Sequence, residues 1–159
     1  MRALVIGAPK SGKTRFANKF GKERNVKVFD GLDKKFIKKT ELALGELSDY
    51  RTDFMFVSDI LALEYKNRKE DYIITAGPLY SYLHFLFKAG FNENDKDLLE
   101  NMNPLMMMAS IALDSLWYDE IYYLPYKKDE EDTFSFYIDK SIKDTIKEFQ
   151  LEGKITTIE

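Results

Sequence analysis

Eight residues near the start of the chain have the types and the spacing of a loop that binds phosphate. Residues 7–14 match the pattern G-x-x-x-x-G-K-S/T. Its glycines let the backbone turn tightly, so that N–H groups can approach phosphate oxygens. Lys13 can reach the β- and γ-phosphates of a nucleoside triphosphate, and the hydroxyl of Thr14 can bind Mg²⁺. The predicted nucleotide-binding residues are Gly7, Ala8, Pro9, Lys10, Ser11, Gly12, Lys13 and Thr14.

The segments on either side of this loop provide the setting that phosphate binding requires. Residues 3–6 form a short apolar, partly β-branched run that is typical of a strand. Residues 15–20 suit a helix, whose N-terminus would present its positive dipole end to the phosphates. A strand, a loop and a helix in this order favour nucleotide binding. The alternative is a glycine-rich turn that binds nothing.

Length and composition limit the class of protein. The chain has 159 residues, 45% of them hydrophobic and 32% charged, so we expect one globular domain over residues 1–159. No apolar run approaches the roughly 20 residues of a membrane span, and the chain starts with a strand rather than a signal peptide. The absence of cysteine excludes disulfides and thiolate chemistry and fits a cytoplasmic location. A formal net charge of −3 gives no overall attraction to nucleic acid.

Strand-like and helix-like segments alternate along the chain, and this alternation predicts the fold class. We expect a three-layer α/β/α protein with a mostly parallel five-stranded sheet. In the helix predicted over residues 52–67, Phe56 and Ile60 follow the apolar spacing, whereas Asp59 and Glu64 lie on other faces. The predicted strands cover residues 3–6, 26–29, 72–75, 120–124 and 154–158. One predicted helix follows residue 14. The other predicted helices cover residues 34–47, 52–67, 79–88, 97–117 and 134–150.

Two acidic residues follow the second predicted strand, at the sheet edge where open parallel sheets bind ligands. Asp30, directly after that strand, is the best candidate for a general base that deprotonates a phosphate acceptor. Asp33 could share this role or hold Mg²⁺ through water. The alternative for Asp33 is that it caps the helix beginning at Lys34.

Two further positions are candidates for binding the acceptor. Arg51 lies at a helix junction, where its guanidinium could hold a phosphate or carboxylate, although a surface ion pair with a neighbouring aspartate is equally compatible. Gly77 follows the third strand and allows close approach of a ligand to the backbone. Many phosphate-loop proteins have an aspartate in this segment, but the chain has Ala76. The metal would therefore depend on Asp30, Asp33 or water.

A cluster of basic residues lies beside the predicted acceptor side. Its spacing fits one helix, and a solvated helix face is its ordinary explanation. The alternative is a contact surface for a polyanion such as a nucleic-acid backbone. The cluster consists of Lys34, Lys35, Lys38 and Lys39.

The motif and the order of the elements resemble the small P-loop kinases, which have the P-loop NTPase fold. This group includes nucleoside and nucleotide kinases, shikimate-type kinases and kinase-like ATPases often carried by phages. The turn at Asp30 and Asp33 is similar to the acidic acceptor turn of shikimate and gluconate kinases. Arg51 falls where such kinases place an acceptor-binding arginine, and residues 118–125 look like the fourth-strand region of the phage and nicotinamide-riboside-kinase-like ATPases. The resemblance implies phosphotransfer with ATP and Mg²⁺ as cofactors.

The chain departs from this group in its arginines. Small P-loop kinases usually carry arginines in a mobile lid over the phosphates, but no arginine follows Arg68 here. Lys88, Lys127 or Lys128 would be a weak substitute, and a partner subunit could supply the charge instead. This departure raises the expectation of a macromolecular acceptor, such as a modified base in phage DNA.

The leading prediction is an ATP- and Mg²⁺-dependent kinase of a nucleoside, a nucleotide or a nucleotide within DNA. In this prediction Lys13 stabilises the moving phosphoryl group, Asp30 acts on the acceptor and Arg51 anchors it. Two alternatives stay open, namely a phage-type kinase of a hydroxymethylated base in DNA and a P-loop ATPase that acts as a regulatory switch. The predicted location is the cytoplasm, or the host cytoplasm for a phage protein, with no membrane partner. The residues do not decide between ATP and GTP or between monomer and oligomer.

Overall fold

A computed structural model of the chain describes residues 1–32, 35, 50–75, 117–127, 133–148 and 150–159. Several sequence predictions therefore lie outside the described residues. These are the roles of Asp33 and Gly77, most of the lysine cluster, and the helices predicted over residues 34–47, 79–88 and 97–117, apart from Lys35 and Trp117.

The centre of the fold is a five-stranded sheet in the order β2-β3-β1-β4-β5, and every neighbouring pair is parallel. Ala3, Leu4, Val5 and Ile6 of the central strand are almost completely buried, as expected for a strand covered on both faces. The strands are β1 (Arg2–Ile6), β2 (Lys27–Phe29), β3 (Tyr72–Ile74), β4 (Glu120–Tyr123) and β5 (Ile155–Thr157). The predicted three-layer α/β fold and all five predicted strands are confirmed, with ends that differ by one residue or less.

Three long helices are described, α1 (Lys13–Arg24), α2 (Tyr50–Lys66) and α3 (Thr133–Glu148). Helix α1 is capped at its C-terminus by Asn25, which adopts a left-handed conformation with φ of 55°. Within the described residues, no helix combines the length and apolar character that crossing a membrane would need.

Close packing of α1 on the sheet depends on Gly21. A Cβ atom at this position would lie 2.4 Å from Val28 Cγ2, a distance that real Cβ atoms do not show. The missing side chain therefore allows the helix backbone to lie directly on β2. Further along the same face, the rings of Phe16 and Phe20 pack against Tyr122 of β4.

Two expectations about individual residues are wrong. Glu64 does not lie on a face of α2 away from the core, because its exposed fraction is 0%. Its two carboxylate oxygens accept hydrogen bonds inside the protein, which makes burial tolerable. Trp117 does not continue a helix, since it lies in the irregular segment that leads into β4.

Candidate functional site

The predicted phosphate-binding loop connects β1 to α1, as the motif requires. Lys10 and Gly12 both have positive φ angles, 63° and 94°, so the loop turns twice through the left-handed region. Among the described residues, no side chain caps the N-terminus of α1, and its first turn contains no acidic residue. The N–H groups of this first turn face the loop, and no carboxylate of the turn would repel an anion there.

The ammonium group of Lys13 lies against the loop itself. It donates hydrogen bonds to the carbonyl oxygens of Gly7 (2.7 Å) and Ala8 (2.9 Å). These contacts hold a positive charge inside the loop, where it would meet a bound phosphate.

Gly7 has no positive φ, and packing explains why glycine is needed there. A Cβ atom would lie 2.5 Å from Ser11 Oγ and 2.8 Å from the carbonyl oxygen of Leu124. Leu124 follows β4, and its N–H donates to Ile6 O at 3.0 Å. The backbone after β4 is therefore in direct contact with the start of the loop.

Asp30 lies directly after β2 and accepts two hydrogen bonds on one carboxylate oxygen. Thr14 Oγ1 donates to Asp30 Oδ1 at 3.1 Å, and Thr75 Oγ1 donates to the same atom at 2.8 Å. Thr14 is exposed, Asp30 is half-buried and Thr75 is buried. The structure thus brings together the last residue of the loop motif and the residues that follow β2 and β3.

A left-handed residue follows Asp30 directly. Gly31 has a φ of 64°, which is costly for residues with a side chain, and its carbonyl oxygen accepts a hydrogen bond from the N–H of Lys35 (3.1 Å). The turn leaves the Asp30 carboxylate at the carboxyl edge of the sheet, beside the phosphate-binding loop.

The oxygen atoms at this edge fit Mg²⁺, the metal implied by the motif. A hydroxyl and a carboxylate are the hard ligands that Mg²⁺ prefers, and Mg²⁺ usually retains waters and binds substrate phosphates. No group of three or more acidic, histidine or cysteine side chains suited to a metal occurs in the described part of the chain. Thr14 and Asp30 would therefore hold a cation together with nucleotide and water, rather than in an all-protein cage.

The other predicted acceptor residues are less fully described. The backbone of Arg51 lies in the first turn of α2, close to the helix junction that the sequence indicated. Its role as an acceptor anchor stays a prediction. Asp33 and Gly77 lie outside the described residues.

Sequence reasoning missed a buried carboxylate that fixes the segment after β4. Asp139 of α3 is 4% exposed and accepts hydrogen bonds from Tyr123 Oη (2.7 Å) and the N–H of Tyr126 (2.8 Å). Its other oxygen pairs with Lys143 Nζ at 2.9 Å. Burial, reinforced by the adjacent Asp139, raises the pKa of Tyr123 well above its usual value. Because Leu124 lies in this segment, Asp139 supports the backbone that contacts Gly7.

A second buried carboxylate lies at the opposite, amino edge of the sheet. Glu64 Oε1 accepts a hydrogen bond from Tyr72 Oη (3.1 Å), and Glu64 Oε2 accepts one from Tyr118 Oη (2.9 Å). Burial raises the pKa of Glu64 to about 7, although both tyrosine hydroxyls oppose this shift. The pKa of Tyr118 is also raised, by burial and then by the neighbouring Glu64.

Comparison with known proteins identifies the fold. No model of a protein family matches the chain, and no curated protein matches it in sequence. NadR, solved with NAD and AMP-PNP, has a TM-score of 0.79 at 13% identity over 99% of this chain. A deoxyadenosine kinase from M. mycoides, solved with dCMP and dCDP, has a TM-score of 0.70 at 12% identity over 100% of this chain and 90% of its own. Thymidylate kinase from Ehrlichia chaffeensis has a TM-score of 0.57 at 14% identity over 99% and 91% of the two chains.

These similarities show that the chain has the fold of the small P-loop kinases, as its sequence predicted. The lengths differ among the neighbours. The chain spans 43–44% of the NadR chains but 90–91% of the deoxyadenosine and thymidylate kinases.

Proposed function

We propose that the protein is an ATP- and Mg²⁺-dependent phosphotransferase that acts on a nucleoside or a nucleotide. The observation that carries this proposal is the pair of hydrogen bonds between Thr14, Asp30 and Thr75 beside the phosphate-binding loop. Two kinases whose names specify a nucleoside and a nucleotide share the fold over nearly their full length. Fold alone would not indicate a reaction, but the carboxylate beside the loop provides a group for one.

The residues of the phosphate-binding loop and of the sheet edge beside it have separate roles in this proposal. The loop N–H groups and Lys13 bind the phosphates and stabilise charge on the transferred group. Thr14 and Asp30 hold Mg²⁺, which neutralises charge on the phosphates when it is bound. Arg51 anchors the acceptor through its phosphate or carboxylate, and Asp33 and Gly77 contribute to the acceptor side.

Asp30 can also orient or deprotonate the acceptor hydroxyl. Its Oδ1 atom accepts both threonine hydroxyls, whereas Oδ2 accepts no hydrogen bond from the residues that the structure describes. One carboxylate oxygen therefore serves the Thr14 side of the site, and the other is available to an acceptor within hydrogen-bond reach.

The test is transfer of label from γ-labelled ATP with Mg²⁺ to nucleosides, nucleoside monophosphates and DNA in parallel. Label on a nucleoside or nucleotide supports the proposal. Label released only as free phosphate, whatever the acceptor, contradicts it and favours an ATPase that acts as a conformational switch.

A second candidate is a kinase of a hydroxymethylated base in DNA, of the kind found in phages. It is favoured by the absence of any arginine after Arg68, which leaves no arginine for a lid in that part of the chain. A DNA acceptor could be held at the site by contacts with the rest of the DNA instead. Replacing Lys34, Lys35, Lys38 and Lys39 by glutamate should then weaken DNA binding and reduce its salt dependence. Transfer to a free nucleoside should change little in the same variant.

A further inference from the structure

Thr75 is tied to the end of β2 by both its backbone and its side chain. Its N–H donates to Phe29 O at 3.1 Å, which continues the pairing of β3 with β2. Its hydroxyl donates to Asp30 Oδ1 at 2.8 Å, shorter than the 3.1 Å bond from Thr14. Thr75 is only 5% exposed, so this hydroxyl lies under the site rather than in it.

Donor and acceptor capacity makes the arrangement directional. A threonine hydroxyl has one proton to donate and two lone pairs, and an ionised carboxylate only accepts. Thr14 gives its proton to Asp30, so the Thr14 lone pairs are left for a cation. Thr75 gives its proton to the same oxygen, which restricts rotation of the carboxylate and leaves Oδ2 for the acceptor side.

We propose that Thr75 is a positioning residue of the phosphotransfer site. It fixes the Asp30 carboxylate and, through it, the Thr14 hydroxyl, without itself contacting nucleotide, metal or acceptor. The expected effect of Thr75 on phosphotransfer rests on the proposed function. Its effect on Mg²⁺-dependent nucleotide binding can be measured without turnover.

The chain offers a matched control for a buried threonine. Thr145 of α3 is 4% exposed, and its hydroxyl donates to Ser141 O at 2.8 Å, within the helix. Thr75→Val and Thr145→Val each remove one buried hydroxyl and nearly keep side-chain shape. Thr75→Ser keeps the hydroxyl and removes only a methyl group.

The experiment measures AMP-PNP affinity by calorimetry with and without Mg²⁺, together with kcat and KM for the acceptor found active. In Thr75→Val we expect the Mg²⁺-dependent gain in affinity and kcat to fall by about 10–100-fold, as is typical for loss of a second hydrogen-bonding shell. The affinity without Mg²⁺ should stay within about threefold. Thr75→Ser should restore both quantities to within about threefold of the original protein, and Thr145→Val should leave both unchanged.

Three results would overturn the proposal. They are an unchanged Mg²⁺ effect in Thr75→Val, the same losses in Thr145→Val, and failure of Thr75→Ser to restore the site. A chain that binds AMP-PNP with Mg²⁺ but transfers no phosphate would contradict the proposed function alone, since the calorimetric comparison still decides the role of Thr75.

Discussion

The two ends of strand β3 each hold a carboxylate through hydroxyl groups, but in opposite ways. At the carboxyl end, Thr75 and Thr14 share one oxygen of Asp30, and the carboxylate is half-buried. At the amino end, Tyr72 and Tyr118 donate to different oxygens of Glu64, which is completely buried.

The two carboxylates differ in how many of their oxygens accept hydrogen bonds from the protein and in how far they are buried. Asp30 keeps one oxygen without a hydrogen bond from the described residues, next to the phosphate-binding loop. Both Glu64 oxygens are used, and burial raises its pKa to about 7. In the proposed function, the number of protein hydrogen bonds per oxygen and the exposure distinguish the reacting carboxylate from the one that supports the fold.

The largest effect is expected for Asp30→Asn. The matching change at the other end of β3, Glu64→Gln, is its control. Asp30→Asn should lower kcat for phosphotransfer by about 10²–10⁴-fold, because the amide cannot take a proton from the acceptor. Calorimetry should show little change in ATP affinity without Mg²⁺, whereas the Mg²⁺-dependent gain in affinity should fall, because Asp30 lies beside Thr14. Glu64→Gln should keep kcat within about threefold, since the amide keeps the shape of the carboxyl group. Equal losses in the two variants would show that Asp30 and Glu64 do not differ in their effect on phosphotransfer.

The next effect is a pH dependence of stability that originates at Glu64. The folded-state pKa of about 7 lies above the ordinary value of 4.5, so the folded protein binds more protons between these values. Glu64 therefore contributes about 3 kcal/mol to the free energy of unfolding relative to high pH. This contribution is fully present below pH 4.5 and is lost as the pH rises through about 7.

Denaturant unfolding at about pH 4.5 and about pH 8, compared between the original protein and Glu64→Gln, measures this contribution. The stability of the original protein relative to the variant should fall as the pH rises. A constant difference would show that the Glu64 carboxyl does not change protonation in the folded state.

Packing of the phosphate-binding loop predicts a smaller effect for Gly7→Ala. The added methyl group would clash with Ser11 Oγ and with the carbonyl oxygen of Leu124. We expect a loss of about 1–3 kcal/mol in the free energy of unfolding and weaker ATP binding. Gly153→Ala is the control, because a Cβ atom there meets nothing within 4 Å. Thermal unfolding and calorimetry should show a change in the first variant only.

The smallest effect is expected for Asp139→Asn, which weakens the anchor of the segment after β4. Loss of the charge removes the ion pair with Lys143 and weakens the bonds from Tyr123 and Tyr126. The free energy of unfolding should fall by about 1–2 kcal/mol. KM for ATP should rise by less than about tenfold, because the effect reaches the loop indirectly. Asp144→Asn, at an exposed position of the same helix, should change neither quantity.

Much of the fold and part of the site could be predicted because their signals are local. Short apolar runs gave all five strands, and the glycine and lysine spacing located the loop. The rule for ligands at strand ends placed Asp30 at the correct edge, beside Thr14.

The remaining features depend on contacts between distant parts of the chain. Glu64 and Asp139 have the same local pattern as exposed acids of helices, and only partners far along the sequence, Tyr118 and Tyr126 among them, make burial possible. Thr75 directly precedes Ala76 and Gly77, of which the sequence marked Gly77 as a candidate. Its hydrogen bond to Asp30 could not be predicted, because the two residues are far apart in the sequence. Period and propensity carry no information about such pairs.

The contact between Gly21 and Val28 has a consequence for which mutations α1 can tolerate. Gly21 lies seven residues, or roughly 10 Å along the helix, from Thr14. A side chain at position 21 would clash with Val28 and push the C-terminal end of α1 away from β2. We expect this displacement to weaken the packing of α1 that keeps Thr14 beside Asp30, although neither residue has changed. Exposed positions of the same helix, such as Lys19 and Glu23, should tolerate substitution, whereas a larger residue at position 21 must displace Val28 or the helix backbone.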